Sequence, residues 1–527
     1  MRVLIVTGTL AEAEVRRHMA GLNHSVDVHA LPVTVAAFIT PGYAAKQLSG
    51  LDLSGYDMIL LPGSVNGDVS PVEEATGVPT FKGPIHAVDL PLVIRDDVEL
   101  SRTAPAGALV VGVIRSKALE EIEAVDREWR RVLEERGGLV LGRGERKVPV
   151  GLGFPMRVVA EIVNAPLLGP GEVTRRAAYY ESQGADIIDI GMLARDPRPE
   201  SIRGIVDAVR LSTEMPISID SLEPDEIKAA VDSGVDLVLS LDAGNIEEAA
   251  PLLGDVAAVV LPTNMRAGVL PRAAHERVEM MHMNISLARE HGVENIIADL
   301  VVEPLLRPGL LEALKAFQLF HAEEPGTPIL FGIGNVTELI DADSTGVNAA
   351  VAALAAEVGA DMLHVPEHSV KNRGGVRETV EASKMMFLAE RRGTLPKDLG
   401  VDLLVLKEKR WAEEPYRESL GAETLQGTLE IDFSPDGKGW FKIAVDRELG
   451  EIAAIHYPPG EEEPDVVVRG RDSRAIYQTI IREGLVSKLD HAAYLGKELE
   501  KAHIALVLGR SYVQDRPLFG GLSSLGP

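Results

Sequence analysis

Eight short apolar runs recur between Gly151 and Arg410, each followed by a stretch with helical spacing. They are MRVVAEIV, DIIDIG, PISID, DLVLSL, VAAVVL, NIIADL, PILFGI and DMLHVP. Runs of this length, bounded by glycine, proline or charge, predict strands buried on both faces, as in a parallel sheet. The segments between them, such as GEVTRRAAYYESQG and EPDEIKAAVDSG, are amphipathic and close on glycine, which predicts helices with glycine at the C-cap. Eight strand-helix units in about 260 residues is the arithmetic of a (β/α)8 TIM barrel.

The pattern differs on either side. RVLIVTG, SVDVHALP and YDMILLPG alternate with helical spacing and predict an open α/β layer fold. LPGSVNGDVSPVEEATGVPTFKGP reads as a long polar loop, and a charged helix is expected over roughly 117–137. The Thr7-Gly8-Thr9 turn could cradle an anion, but it lacks the spacing of a P-loop or a dinucleotide fingerprint. Beyond residue 410, GTLEIDFSPDGKGWFKIAVD and EIAAIHYPPG predict antiparallel strands with a tight turn at Asp436 and Gly437; two helical runs then complete a small α+β domain. The Gly- and Ser-rich tail after Pro517 is expected to be mobile. The expected domains are therefore an N-terminal α/β domain over 1–148, the barrel over 149–410 and the α+β domain over 411–527.

Composition narrows the chemistry. The chain has 527 residues, 46% hydrophobic and 25% charged, with a formal net charge of -27. Its densest basic cluster, Lys407 to Arg410, lies beside acidic residues and predicts a solvated surface, so nucleic acid and anionic membrane are not expected partners. Cysteine is absent, which removes disulfides, thiolate nucleophiles and Cys-ligated metals. The first residues read as neither signal peptide nor membrane span, and no later run is long and apolar enough to cross a bilayer, so a cytoplasmic location is expected.

A barrel builds its site at the C-terminal ends of its strands. There the sequence delivers, in order, Glu161 with Asn164, Asp189, Asp220, Asp242 with Asn245, Asn264, Asp299 with Glu303, Asn335, and His364 with Glu367. Any one of these could be a turn former or helix cap. Together they line a mouth rich in carboxylates and amides and poor in Lys and Arg, apart from Arg195 and Lys371. Such a lining suits a neutral heterocycle offering several N–H donors, and a pterin ring fits. Gly332 and Gly334 in ILFGIGNVT bring the seventh strand's exit close to a ligand, while Asp341 to Ser344 read as a cap for the next helix. His364 and Glu367 are candidate acid-base residues.

GADIIDIG, PISIDS and VVAEIVNAP resemble strands of the pterin-binding superfamily, which includes dihydropteroate synthases and methyltransferases that use methyl-tetrahydropterins with corrinoids. The organisation is similar to that of archaeal dihydropteroate synthase-like proteins of methanogens, with a flavodoxin-like N-terminal region. The resemblance implies that Asp220 grips the pterin edge and that Asp189 and Asn264 line the same pocket. Asn164, Asp242, Asp299, Gly332 and Asn335 complete the expected pterin set. Asn164 stands where synthases use an Asn near pyrophosphate and magnesium.

The departures concern charge. Synthases of the family carry basic residues after the sixth and seventh strands, where this chain reads ADLVVEP and GIGNVT. The latter resembles a turn of corrinoid-linked pterin methyltransferases, which implies Asn335 as a catalytic partner of the pterin N5. Three readings follow: transfer of a methyl or other one-carbon group from a tetrahydropterin such as tetrahydromethanopterin to a corrinoid, corrinoid protein or other acceptor; a synthase-type condensation, with magnesium, in folate or tetrahydromethanopterin biosynthesis; and a non-catalytic pterin carrier or sensor. His491 is the candidate cobalt ligand should cobalamin bind, and barrels of this superfamily imply a homodimer.

Overall fold

The computed structural model describes residues 2–19, 25–85, 87–94, 100–143, 146–407, 425–428 and 434–519. The expected boundary at residue 410, most of the Lys407–Arg410 cluster and most of the tail after Pro517 lie outside these. Two compact units emerge: one of residues 1–368 and 374–406, the other of 369–373 and 407–527.

The larger unit begins with β1 (Arg2–Gly8), β2 (Ser25–Leu31), β3 (Met58–Leu61) and β4 (Thr80–Lys82), a parallel sheet in the order β2-β1-β3-β4. Alternation splits its core in two, with Leu4, Val6 and Leu61 buried on one face and Val3, Ile5 and Leu60 on the other. The stretch expected as one long loop contains the helix Ser70–Thr76 and β4. In the Thr7-Gly8-Thr9 turn, the amides of Thr9 and Leu10 donate to the carbonyls of Val33 and Thr34, so they are not free for an anion. The expected charged helix is two helices, Ala106–Arg127 and Trp129–Arg136, because the apolar AGALVVGVI continues the helical run upstream.

β5 (Leu139–Leu141) and β6 (Val148–Val150) form an antiparallel hairpin. The barrel follows as β7 (Arg157–Ile162), β8 (Ile187–Gly191), β9 (Ile217–Asp220), β10 (Leu237–Leu241), β11 (Ala257–Val260), β12 (Ile296–Ala298), β13 (Leu330–Gly332) and β14 (Met362–Pro366). Neighbours are in chain order except that β14 joins β7 to β13, and a parallel bridge from Ala298 to Ile329 closes the ring. Leu141, Val148 and Val150 of the hairpin cluster with Val159, Ile187, Leu237, Val259, Leu330 and Met362 inside the ring. The barrel floor therefore reaches back to Leu139, upstream of the residue-148 boundary, because a barrel end left open would expose this apolar layer.

In the smaller unit, β15 (Trp440–Asp446), β16 (Glu451–Tyr457) and β17 (Val466–Gly470) form an antiparallel sheet. Phe441, Ile443, Ile452 and Ala454 pack with the helices Ser473–Arg482 and Leu489–Val507. The expected turn at Asp436-Gly437 is present, closed by Gly439 N donating to the Asp436 carbonyl at 3.1 Å, while residues 429–433 of its first arm lie outside the described chain; β15 and β16 form a hairpin that turns between Asp446 and Glu451. Among the described residues, no helix is long and apolar enough to cross a membrane.

Candidate active site at the barrel mouth

Side chains alternate along a strand, so the residue two places beyond each interior apolar position also points into the barrel. Above Val159, Ile187, Ile297, Leu330 and Met362, that rule places Glu161, Asp189, Asp299, Gly332 and His364. Ser218 belongs to the same interior, since its hydroxyl donates to Asp189 Oδ1 at 2.6 Å, and Asp220 follows two residues later. A greasy plug thus carries a polar ring at the C-terminal mouth.

His364 Nε2 lies 3.1 Å from Asp189 Oδ2 and 3.8 Å from Glu161 Oε2. Asp189 is wholly buried, with Ser218 on one oxygen and His364 on the other. Gly191 makes room for Glu161: a Cβ there would stand 2.2 Å from Glu161 Oε1. Burial opposes charge on His364, but the hydrogen bond to Asp189 and the negative charge of Asp189, Glu161 and Asp220 win and raise it to about 9. Burial also pushes Glu161 up, helped by Asp189. Asp220 is packed round by the barrel wall while its outer edge is exposed in the mouth. That enclosure, then the charges of Asp189 and Glu161, push it up to about 8. Asp299 is pushed up by burial to about 6, against the backbone N–H of Val301, which donates to it at 2.8 Å.

Asn335 is exposed, and its Nδ2 donates to the Val302 carbonyl at 2.8 Å. That bond fixes the amide plane and leaves the oxygen and one N–H for a ligand. A Cβ on Gly332 would meet Asn335 Nδ2 at 3.9 Å, so the amide lies close over the end of β13. Gly334 has a packing reason instead, since a Cβ would come within 2.4 Å of Pro366.

The other expected site residues are placed differently. Asp242 is buried and accepts from Gly244 N at 2.7 Å, the Thr263 hydroxyl at 2.7 Å and Met265 N at 2.6 Å, so it ties together the loops after β10 and β11. Asn245 braces the same loop by donating to the carbonyls of Leu222 and Ser240. Asn264 Oδ1 accepts from Ala267 N at 2.9 Å, beside a cavity of about 290 Å³ that Arg266 and Glu248 share. Asn164 adopts a left-handed conformation, φ 52°, at the start of the 3-10 turn Ala165–Leu167. Glu367 accepts from Val376 N at the start of the helix Gly375–Arg392. Asp343 takes the N-cap position of Ser344–Glu357 without a capping hydrogen bond; Glu378 instead accepts from the hydroxyls of Ser344 and Thr345. In the smaller unit, His491 Nδ1 lies 3.0 Å from Asp436 Oδ2. Burial works against the charge on Asp436, yet hydrogen bonds from Ser487, Lys438 and His491 hold it well below the usual carboxylate range.

Sequence reasoning missed two groups. Ser218 is two residues before Asp220, so alternation alone assigns it to the interior. Arg277 is buried in the helix Ala274–Glu290, where it pairs with Glu303 and donates to the carbonyls of Leu300 and Val301. No strand-end pattern marks it. Arg272 also pairs with Glu303, at 2.6 Å, Arg266 with Glu248 at 2.6 Å, and Arg198 with Asp196 at 2.7 Å. Four arginines, Arg198, Arg266, Arg272 and Arg277, thus pair with carboxylates, while Arg195 is exposed in the loop after β8.

Comparison with known proteins agrees with this layout. The model of the pterin binding enzyme family matches residues 171–366, one described as PterinBD-DUF4346 matches 435–515, and a family of unknown function, DUF6513, matches 1–85. An uncharacterized protein of Methanocaldococcus jannaschii is 39% identical over 98% of this chain and 99% of its own length. A Ycf91-like protein of Nostoc is 33% identical over 16% of this chain and 85% of its own. Among solved structures, dihydropteroate synthase of Yersinia pestis aligns at 19% identity over 49% of this chain and all of its own, TM-score 0.39. That of Thermus thermophilus aligns at 23% over 46% and 97%, TM-score 0.36. The match to the pterin binding enzyme family falls on the central barrel. The chain belongs, over nearly its whole length, to the family of the Methanocaldococcus jannaschii protein.

Proposed function

We propose that the protein transfers a methyl or other one-carbon group from a tetrahydropterin, of the tetrahydromethanopterin or folate type, to a corrinoid or corrinoid protein. The observation that carries this reading is the pairing of Arg266, Arg272 and Arg277 with carboxylates, beside a mouth lined by Asp220, Asp299 and Asn335. Expelling pyrophosphate develops negative charge that such a mouth would repel. A tetrahydropterin is neutral at its ring and offers parallel N–H donors, which the Asp220 carboxyl can accept. In this reading Asn335, whose amide is oriented by its bond to the Val302 carbonyl, donates a hydrogen bond to N5 as its methyl departs.

The acceptor, a reduced corrinoid, supplies a nucleophilic cobalt. His491 suits such a metal, because Asp436 on Nδ1 would fix the ring and leave Nε2 to coordinate. A synthase-type condensation is the second reading, favoured by Arg195, which is exposed in the loop after β8 and carries a charge that could meet a phosphate. Mixing the protein with methyl-tetrahydromethanopterin and reduced cobalamin, and following the cobalt spectrum, tests the first. Formation of methylcobalamin is expected. Its absence, together with condensation of a pterin pyrophosphate with an aminobenzene derivative, overturns it.

A further inference from the structure

We propose that Glu161, Asp189 and His364 form a binding site for one divalent first-row transition ion at the barrel mouth. Among the described residues they are the group of three metal-ligating side chains whose donor atoms all lie within 4.8 Å of one another. The three stand on β7, β8 and β14, which are consecutive neighbours in the sheet, so rigid elements hold them. Glu161 and Asp189 are partners in register.

The spacing suits coordination. Bonds of about 2.1 Å place neighbouring donors about 3.0 Å apart in an octahedron and about 3.4 Å apart in a tetrahedron. His364 Nε2 lies 3.1 Å from Asp189 Oδ2, between those values, and 3.8 Å from Glu161 Oε2, a few tenths of an ångström beyond them. One imidazole and two carboxylates favour Zn(II), Mn(II), Fe(II) or Co(II) over a hard ion such as Ca(II). Ser218 supplies the outer support, fixing Asp189 from its other oxygen. Among the described residues no hydrogen bond reaches the Glu161 carboxylate, although the side chain is only 14% exposed. Gly191 keeps space open around that carboxylate, where any side chain would collide. A cation here also offsets part of the negative charge that Asp220 shares with these residues. The site does not depend on the pterin reading, and Asn164, the magnesium position implied by resemblance, is not among its ligands.

Metal-stripped protein dialysed separately against Zn(II), Mn(II) and Co(II), then assayed by atomic absorption, tests the proposal. One ion per chain is expected, and the Co(II) form should show visible d–d bands. His364→Ala and Glu161→Gln should each weaken binding about 10- to 100-fold. Glu248→Gln, which alters an exposed carboxylate paired with Arg266, should bind as the wild type does. Wild-type protein that retains no ion overturns the proposal without any variant, and so does undiminished binding in both variants. Circular dichroism separates lost ligation from lost fold. Pterin fluorescence quenching is a separate arm: a protein that binds pterin but retains no ion overturns only this site, and one that retains an ion but binds no pterin overturns only the pterin reading.

Discussion

Asn335 is the residue whose surroundings carry most of the mechanistic weight. Its hydrogen bond to the Val302 carbonyl spends one N–H on orientation and leaves the rest of the amide outward. Asn335→Ala should therefore keep pterin affinity within about threefold while turnover falls about 100-fold, the scale of one hydrogen bond made in the transition state. Single-turnover kinetics beside equilibrium fluorescence titration checks the split, and equal losses in both would make Asn335 a simple binding residue. Asp220→Ala should act the other way, weakening pterin binding by about 10- to 100-fold, as expected when a buried hydrogen-bonding partner of the ligand is removed. The position of Asp220 at the mouth was legible because it ends a buried strand. Asp242 looked the same in sequence, yet its oxygens accept from Gly244, Thr263 and Met265. Residue type and strand position are shared by both; the partners that distinguish them come from other loops.

At the scale of elements, all eight barrel strands were readable, since each is an apolar run too short for a helix. The floor hairpin was not, because Leu139–Leu141 and Val148–Val150 are too brief to stand out and a basic stretch separates them. Gly334 illustrates a constraint that only packing reveals. Gly334→Ala should destabilise the barrel by about 1–3 kcal/mol, because Pro366 on β14 cannot yield the space easily. Chemical denaturation should show this as a lower midpoint at an unchanged slope.

Asp361, just before β14, gives a pH-dependent case. Burial pushes its carboxyl up to about 7, although the Ile329 N–H it accepts at 2.9 Å favours the charged form. The unfolded chain titrates near about 3.9, so between these values the native state binds the proton that the unfolded state releases. Its contribution to stability is thus full below about pH 4 and is lost as pH rises through about 7. Asp361→Asn can still accept from Ile329 but never ionises. Its melting temperature should match the wild type near pH 3 and exceed it at pH 8. Parallel pH profiles for the two proteins would show that Asp361 does not titrate in this window.

At the scale of the molecule, the residues expected as an N-terminal domain and a barrel share one compact unit. The shared layer explains why: Ala118, Ile122 and Val125 of the helix Ala106–Arg127 pack with Phe154, Phe387 and Leu388, and Glu121 pairs with Arg391 and Arg392. Sequence periodicity marks each of these helices as amphipathic without saying which partner covers it, so this join was not legible. Calorimetry should therefore resolve two unfolding transitions, a large one for the N-terminal region with the barrel and a small one for the C-terminal unit. A ligand that binds only the native barrel stabilises it by about 2.7 kcal/mol at 100 times its dissociation constant. Saturating tetrahydropterin should raise the large transition by a few degrees and leave the small one in place. A shift confined to the small transition would move the pterin site out of the barrel, and with it the roles assigned to Asp220 and Asn335.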